Sequence, residues 1–391
     1  MTASPRAVLG WATAAQASNS LMNFGLPAIG PQLGKDFGLG LASLGAVLTA
    51  SLLGSGLALI PASKAVDRAG ARTTTIAGGA LASASLAAAA FAPSGAVLMA
   101  LLLLAGLGMA AIPIAGMAGV FRVFPPARRG WALGVRQVGV PVGGVHGAAL
   151  LPALDSLGGV RAALLFCAVV NGATSLVFAL VSGDARPAAP PRAGLRRVLA
   201  TPGIVRLLVV AAFYIVVLQS LIAYLVPSAR AAGLSPFLAG TAYLVLNVTA
   251  GVARISWGRL ADRHGGTRRV RMLVGAGWVA AAGAALFTLA LHVGAVAILP
   301  ASVLFAFGAL GWNALVYVTA GERADPDLTG QSVAVAATLI FLLSAACTPP
   351  MGALADYAGW DALWITTGVL AAAGALVAAG LRRTQQEAVL T

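Results

Sequence analysis

Long apolar runs alternate with short polar gaps along the whole chain of 391 residues. A helix needs about 20 residues to cross a hydrocarbon core roughly 30 Å thick. Runs of that order lie near 8–33, 41–63, 74–93, 95–123, 131–153 and 159–182, then near 203–228, 237–260, 271–291, 296–321, 331–354 and 361–381. The pattern predicts an all-α membrane protein with twelve transmembrane helices. The one extended polar stretch, S-G-D-A-R-P-A-A-P-P-R-A-G-L-R-R after the sixth run, is rich in Pro and Arg and reads as a cytoplasmic linker. It divides the chain into an N-terminal six-helix bundle (1–182), a linker (183–202) and a C-terminal six-helix bundle (203–391).

Composition agrees with this reading. Hydrophobic residues make up 59% and charged residues 9%, and the mean hydropathy is +0.92. A water-soluble domain of this size carries far more surface charge, so the solvent here is lipid. The 48 glycines suit closely packed membrane helices. A net charge of +14 would suggest nucleic acid in a soluble protein. Here the basic residues fall in the gaps between runs, and no nucleic-acid partner is expected.

Their placement sets the orientation. Arg6, Lys64, Arg68, Arg72, Arg128, Arg129, Arg186, Arg192, Arg196 and Arg197 collect on one side. Arg259, Arg263, Arg268, Arg269, Arg271, Arg323, Arg382 and Arg383 join them, while the other side holds little beyond Lys35, Arg161 and Arg230. Both termini are therefore expected in the cytoplasm, with the chain in the cytoplasmic (inner) membrane. No cleavable signal peptide is expected, since the first run is long and carries Asn and Gln. Cys167 and Cys347 lie within apolar runs, and neither a disulfide framework, a metal site nor a cofactor is expected.

The two halves read as copies. Pro27 and Pro227, Gly38 and Gly233, and Asp67-Arg68 and Asp262-Arg263 recur at about half the chain length. F-P-P-A-R-R-G ending at Gly130 is echoed by A-D-P-D-L-T-G ending at Gly330, and L-P-A-L-D-S-L-G-G-V-R by M-G-A-L-A-D-Y-A-G-W-D. Landmarks that keep one spacing indicate two parallel six-span repeats, a known transporter plan.

On these residues the chain resembles the major facilitator superfamily over essentially its whole length. The loop S-K-A-V-D67-R68-A-G-A-R is similar to that family's G-x-L-x-D-R-x-G-R-K loop, with Ser63 in place of the first Gly; G258-R-L-A-D262-R263-H-G-G-T-R-R is the closer copy. The resemblance implies two helical bundles that rock around a central cavity. Asp67 and Asp262 can accept hydrogen bonds from the start of the next helix and pair with Arg, and Arg122 is the expected partner of Asp67. A cytoplasmic gate of Asp67, Arg68, Arg122, Asp262 and Arg263 is the functional reading; a static loop staple is the other.

Ionisable groups inside spans are candidates by default. Every Asp and Glu falls at a span end or in a loop, Asp36, Asp155, Asp184, Glu322 and Asp356 among them. A carrier of cations would be expected to bury a carboxylate. The buried charges are instead positive. Arg254 lies in the eighth span, about 8 Å to the cytoplasmic side of its midplane. Its R-x-x-x-G-x-x-x-D setting resembles the oxalate–formate and monocarboxylate carriers, where the corresponding Arg is implicated in binding the substrate carboxylate. Snorkelling, or pairing with Asp262, is the structural alternative.

Arg136, at similar depth in the fifth span, is the second candidate, and the resemblance implies that the fifth and eighth spans face each other. The same helix carries G139-V-P141-V-G143-G144, similar to the G-P-x-x-G-G motif of antiporters in the superfamily but with Val140 interposed. Close packing and a bend explain it equally well. The eleventh span lacks the Lys of oxalate–formate carriers, and Leu59 stands where nitrate carriers would repeat the Arg.

His146 is the candidate for proton coupling, or else a neutral helix contact. Asn19 and Gln219 are repeat equivalents in the first and seventh spans. With Asn23, Tyr224, Asn313, Trp312 and Asn247 they serve either substrate or helix–helix contacts. G106-L-G108-M-A-A has no strand before it and is no nucleotide site. The expectation is a secondary active transporter, not an enzyme, moving a small organic anion by proton-coupled symport or anion exchange. An exporter of neutral or amphipathic compounds is the alternative. The expected partners are the substrate, protons and the lipid bilayer, and the expected state is a monomer.

Overall fold

The computed structural model describes residues 4–125, 132, 135–183, 195–262, 266–324 and 328–390. Among these, every regular element is helical. The chain divides into two compact units, Met1–Ala189 and Pro190–Thr391. Seven helices among the described residues are long and apolar enough to cross a membrane, and three of them run for 47 to 49 residues. A single crossing takes about 20 residues, so each of these three holds two consecutive crossings.

Glycines in the left-handed region divide them. Gly70 (φ 84°, ψ 163°) interrupts Leu41–Ala89, and Gly159 (φ 67°) interrupts Gly139–Ser182. Gly359 (φ 85°) interrupts Thr329–Leu390. A side chain is strained at such angles, which explains why Gly70 stands inside the D-R-x-G loop. Gly159 and Gly359 occupy equivalent points of the two repeats and share the same backbone turn.

The packing shows that the chain reverses at these points. In the first unit, Ser51 and Ser55 lie against Gly106, and Ala58 and Ala62 against Ala110, so the second and fourth spans run parallel. Gly78 meets Ala111 while Ala82 meets Gly108, so the third span runs the other way. Gly139, Gly143 and Gly147 follow Thr13, Ala17 and Leu21 in step, making the first and fifth spans parallel. Ser18 and Asn19 meet Thr174 and Asn171 in reverse order, making the sixth antiparallel. In the second unit, Arg206 and Tyr214 meet Gly380 and Gly374, and Ala276 and Gly283 meet Gly308 and Phe305. The seventh span is thus antiparallel to the twelfth, and the ninth to the tenth.

The glycine stripe at 139, 143 and 147 lets two backbones touch. A β-carbon on Gly139 would stand 2.6 Å from the Thr13 carbonyl oxygen, and one on Gly143 would overlap that of Ala17. In lipid, such close approach, rather than the hydrophobic effect, holds helices together.

Two spans are broken within their length. The fourth divides into Gly95–Met109 and Ala111–Val123, and the tenth into Ala295–Ala309 and Asn313–Arg323. In the fourth, Pro113 has no N–H to return to the Met109 carbonyl, which is thereby set free.

Candidate functional site

In the first unit, three amides stand three or four residues apart on the first span, and each reaches a different neighbour. Gln16 accepts a hydrogen bond from Arg136 Nη1 at 2.9 Å. Asn19 donates to the Met109 carbonyl at 3.1 Å, supplying the donor that Pro113 lacks, and accepts from Asn171 Nδ2 at 2.8 Å. Asn23 accepts from the Ser51 hydroxyl at 2.6 Å. Asn19 is 6% exposed, and both ends of its amide are engaged within the unit.

Arg136 is 5% exposed. Besides Gln16 it reaches Gln137 at 3.5 Å, and its Nε has no partner among the described residues. Gly116 makes room for it, since a β-carbon there would lie 3.0 Å from Nη1 and 3.2 Å from Cδ. The ion pairs among the described residues are Arg269–Glu322 and His292–Asp361, so no carboxylate balances Arg136 there. A desolvated guanidinium without a counter-anion is an unfavourable arrangement that an incoming anion would relieve.

In the second unit, Arg254 is half-buried and donates from Nε to the Leu310 carbonyl at 3.4 Å, where the tenth span breaks. Tyr317, on the helix after the break, lies near its guanidinium. Trp257, on the same face of the eighth span, donates to the Phe307 carbonyl at 3.0 Å and covers Gly311. Gln219 is 5% exposed and makes no hydrogen bond among the described residues. The Oδ1 of Asn313 and the Nε1 of Trp312 are buried without partners among the described residues. Tyr224 is fully buried, donating to the Thr348 carbonyl at 2.7 Å, and Asn247 donates to the Tyr243 carbonyl at 3.0 Å.

His146 is exposed on the surface of its unit, with Nδ1 2.8 Å from the Val142 carbonyl oxygen. Of the expected gate, Arg68 is exposed and Asp67 Oδ1 is buried without a hydrogen-bond partner among the described residues. Arg122 does not reach Asp67. It donates to the Val181 carbonyl at 3.4 Å, at the end of the sixth span. Its repeat equivalent, Arg323, donates likewise to Leu381, at the end of the twelfth, and to Pro202, each at 3.3 Å. The freed carbonyls at a helix C-terminus attract a cation, which accounts for both choices. The Asp262 side chain and all of Arg263 lie outside the described residues, and with them the possible pairing of Arg254 with Asp262.

Sequence reasoning missed Gln16, Asn171 and Tyr317. Gln16 was legible as the first member of the helical stripe 16, 19, 23, and Asn171 as an amide within the apolar sixth span. Tyr317 follows Asn313 by one helical turn.

Two successive helical units, each carrying polar groups inside apolar spans, define a multi-pass membrane protein built as a tandem repeat. Residues 12–349 match the Major Facilitator Superfamily, and the chain belongs to that superfamily of membrane transporters. An uncharacterized MFS-type transporter of Mycobacterium tuberculosis, found in two strains, is 28% identical over 316 residues, covering 78% of this chain and 69% of the relative. A bacterial homolog of the human lysosomal transporter Spinster shares the fold with a TM-score of 0.81 at 17% identity, covering 96% of each chain. The human organic anion transporter MFSD10 does so with a TM-score of 0.73 at 16% identity, covering 96% of this chain and 99% of its own. A D-xylose–proton symporter follows the same fold, with a TM-score of 0.78 at 14% identity, over 95% of this chain and 96% of its own. At such identities the likeness is one of fold, and an organic anion and D-xylose are chemically different substrates.

Proposed function

We propose that this transporter moves a small organic anion, a carboxylate, across the cytoplasmic membrane by alternating access, with both termini and the linker in the cytoplasm. The observation that carries the reading is a pair of guanidiniums within spans, Arg136 and Arg254, neither balanced by a carboxylate among the described residues. A guanidinium keeps its proton and presents a planar fork that matches a carboxylate. Transport draws on an ion gradient, as proton symport or anion exchange, with His146 as the residue that would take up the proton. Asp67, Arg68, Asp262 and Arg263 form the cytoplasmic gate in this reading, while Arg122 and Arg323 hold the ends of the sixth and twelfth spans.

The rival, an exporter of neutral or amphipathic compounds, draws on the bond from Arg254 to Leu310, which would make Arg254 structural. Thermal stability of the purified protein against small carboxylates and neutral lipophiles, in wild type and Arg254→Ala, separates the two. A ligand at a hundred times its Kd adds about 2.7 kcal/mol to the folded state. Stabilisation by a carboxylate, lost in Arg254→Ala, is the expected result. Stabilisation by neutral compounds alone, equal in the variant, would refute the anion reading.

A further inference from the structure

The two repeats break the same span but finish the break differently. In the first unit, Asn19 closes the Met109 carbonyl and is itself held by Asn171, so both ends of the Asn19 amide are engaged at that break. The repeat carries Asn19 to Gln219 and, on the register set by Gly159 and Gly359, Asn171 to Ala371. An alanine offers no amide. Gln219 is accordingly buried with no hydrogen bond among the described residues, although it sits at the same point of its unit.

Further polar groups at the second break are left open. Trp312 is 1% exposed and Asn313 Oδ1 is buried, and neither Trp312 Nε1 nor Asn313 Oδ1 has a partner among the described residues. Tyr214 packs edge-on against Trp312, with ring centroids 5.7 Å apart, but its hydroxyl is committed to the Leu273 carbonyl at 2.7 Å. Arg254 meets the same break through Nε alone, at the Leu310 carbonyl. Buried donors and acceptors are rarely left unpaired in a folded protein. In a membrane protein, a broken span is tolerated where it is buried or lines a binding site.

We propose that the C-terminal unit reads the substrate at the break in the tenth span, and that the substrate is a hydroxy-carboxylate. Arg254 takes the carboxylate. Trp312 N–H, a donor only, takes an oxygen of the ligand. Asn313 Oδ1, an acceptor only, requires a hydrogen-bond donor on the ligand, which a hydroxyl beside the carboxylate supplies. Gln219, with both a donor and an acceptor, completes the set. The first unit, with Asn19 engaged at both ends of its amide, contributes the scaffold. This inference rests on the anion reading of Arg254 and adds the hydroxyl to it.

The test measures Kd values of the purified full-length protein for matched probes: propionate, lactate and lactamide, and the larger phenylacetate, mandelate and mandelamide. A ligand that satisfies a group otherwise left unpaired gains about tenfold in affinity for each hydrogen bond. The hydroxy-acid of at least one set is expected to bind about tenfold more tightly than its deoxy analogue, and the amide not at all. That preference is expected to fall within about twofold in Asn313→Ala and in Trp312→Phe, which keeps a ring and removes the N–H. If Asn313→Ala fails to fold, Trp312→Phe and Gln219→Leu carry the test. Acids that bind through Arg254 without regard to the hydroxyl, or whose preference survives these variants, would overturn this inference and leave the anion reading standing. Absence of acid binding, or equal binding in Arg254→Ala, would overturn both.

Discussion

Replacing Asn19 by Leu asks whether the amide is structural glue or a substrate contact. The substitution removes the donor to the Met109 carbonyl and the acceptor for Asn171, two hydrogen bonds of 3.1 and 2.8 Å. Between membrane helices such bonds average about 0.6 kcal/mol and reach about 1.7. Two of them therefore amount to roughly 1–3 kcal/mol. The Met109 carbonyl then has no replacement, because residue 113 is Pro, and an orphaned buried acceptor costs about 1 kcal/mol or more by itself. The expected loss for Asn19→Leu is about 2–3 kcal/mol.

Asn171→Leu removes only the second bond, and its expected loss is about 1 kcal/mol. In the double variant the shared bond is counted once, so the coupling energy is about 0.6 kcal/mol, with 1.7 as an upper figure. Equilibrium unfolding of the four proteins in mixed micelles provides the cycle. Additive effects, or an Asn19→Leu protein as stable as wild type, would refute the scaffold argument. Retained stability with a large rise in KM would instead make Asn19 a substrate contact.

Gly143→Leu places a side chain into the Ala17 carbonyl across the parallel first and fifth spans. It is expected to cost about 3 kcal/mol or more or to abolish folded yield, whereas Gly10→Ala, with nothing within 4 Å of the new methyl, is expected to be neutral or slightly stabilising; size-exclusion profiles and melting curves compare the two. Asp155 lies beyond the end of the fifth span, where burial first and the charge of Asp36 second hold its carboxyl above the ordinary 3.8. A raised pKa means that the folded state favours the protonated acid, so this contribution to stability is complete below pH about 3.8 and is lost as pH rises through the folded-state value. Asp155→Asn is therefore expected to raise the melting temperature at pH 7 and to leave it nearly unchanged at pH 3.5. An equal shift at both pH values would show that the charge is not the cause.

The apolar runs, the Gly and Pro punctuation and the distribution of Arg are local properties of the chain. They sufficed for membrane residence, for the tandem repeat and for the superfamily. The loops were legible only in part. Composition places a gap between 63 and 74, whereas helix continues to a single left-handed turn at Gly70, because one glycine can reverse two helices without a polar loop. The G139-V-P141-V-G143-G144 cluster admitted two explanations, and the packing of three of its helix's glycines against the first span accounts for it as close contact.

The fate of each polar group was not local. Asn19 and Gln219 occupy one position of the repeat, yet one is engaged at both ends of its amide and the other makes no hydrogen bond among the described residues. The difference lies about 150 residues away, where Asn171 is matched by Ala371. Arg136 is held by Gln16 from 120 residues away, and Arg122 bonds to a helix end rather than to the nearby loop Asp67. Such pairings depend on the rotation and relative depth of helices remote in sequence. Periodicity determines which face of a helix is polar, and only tertiary packing decides which partner that face meets.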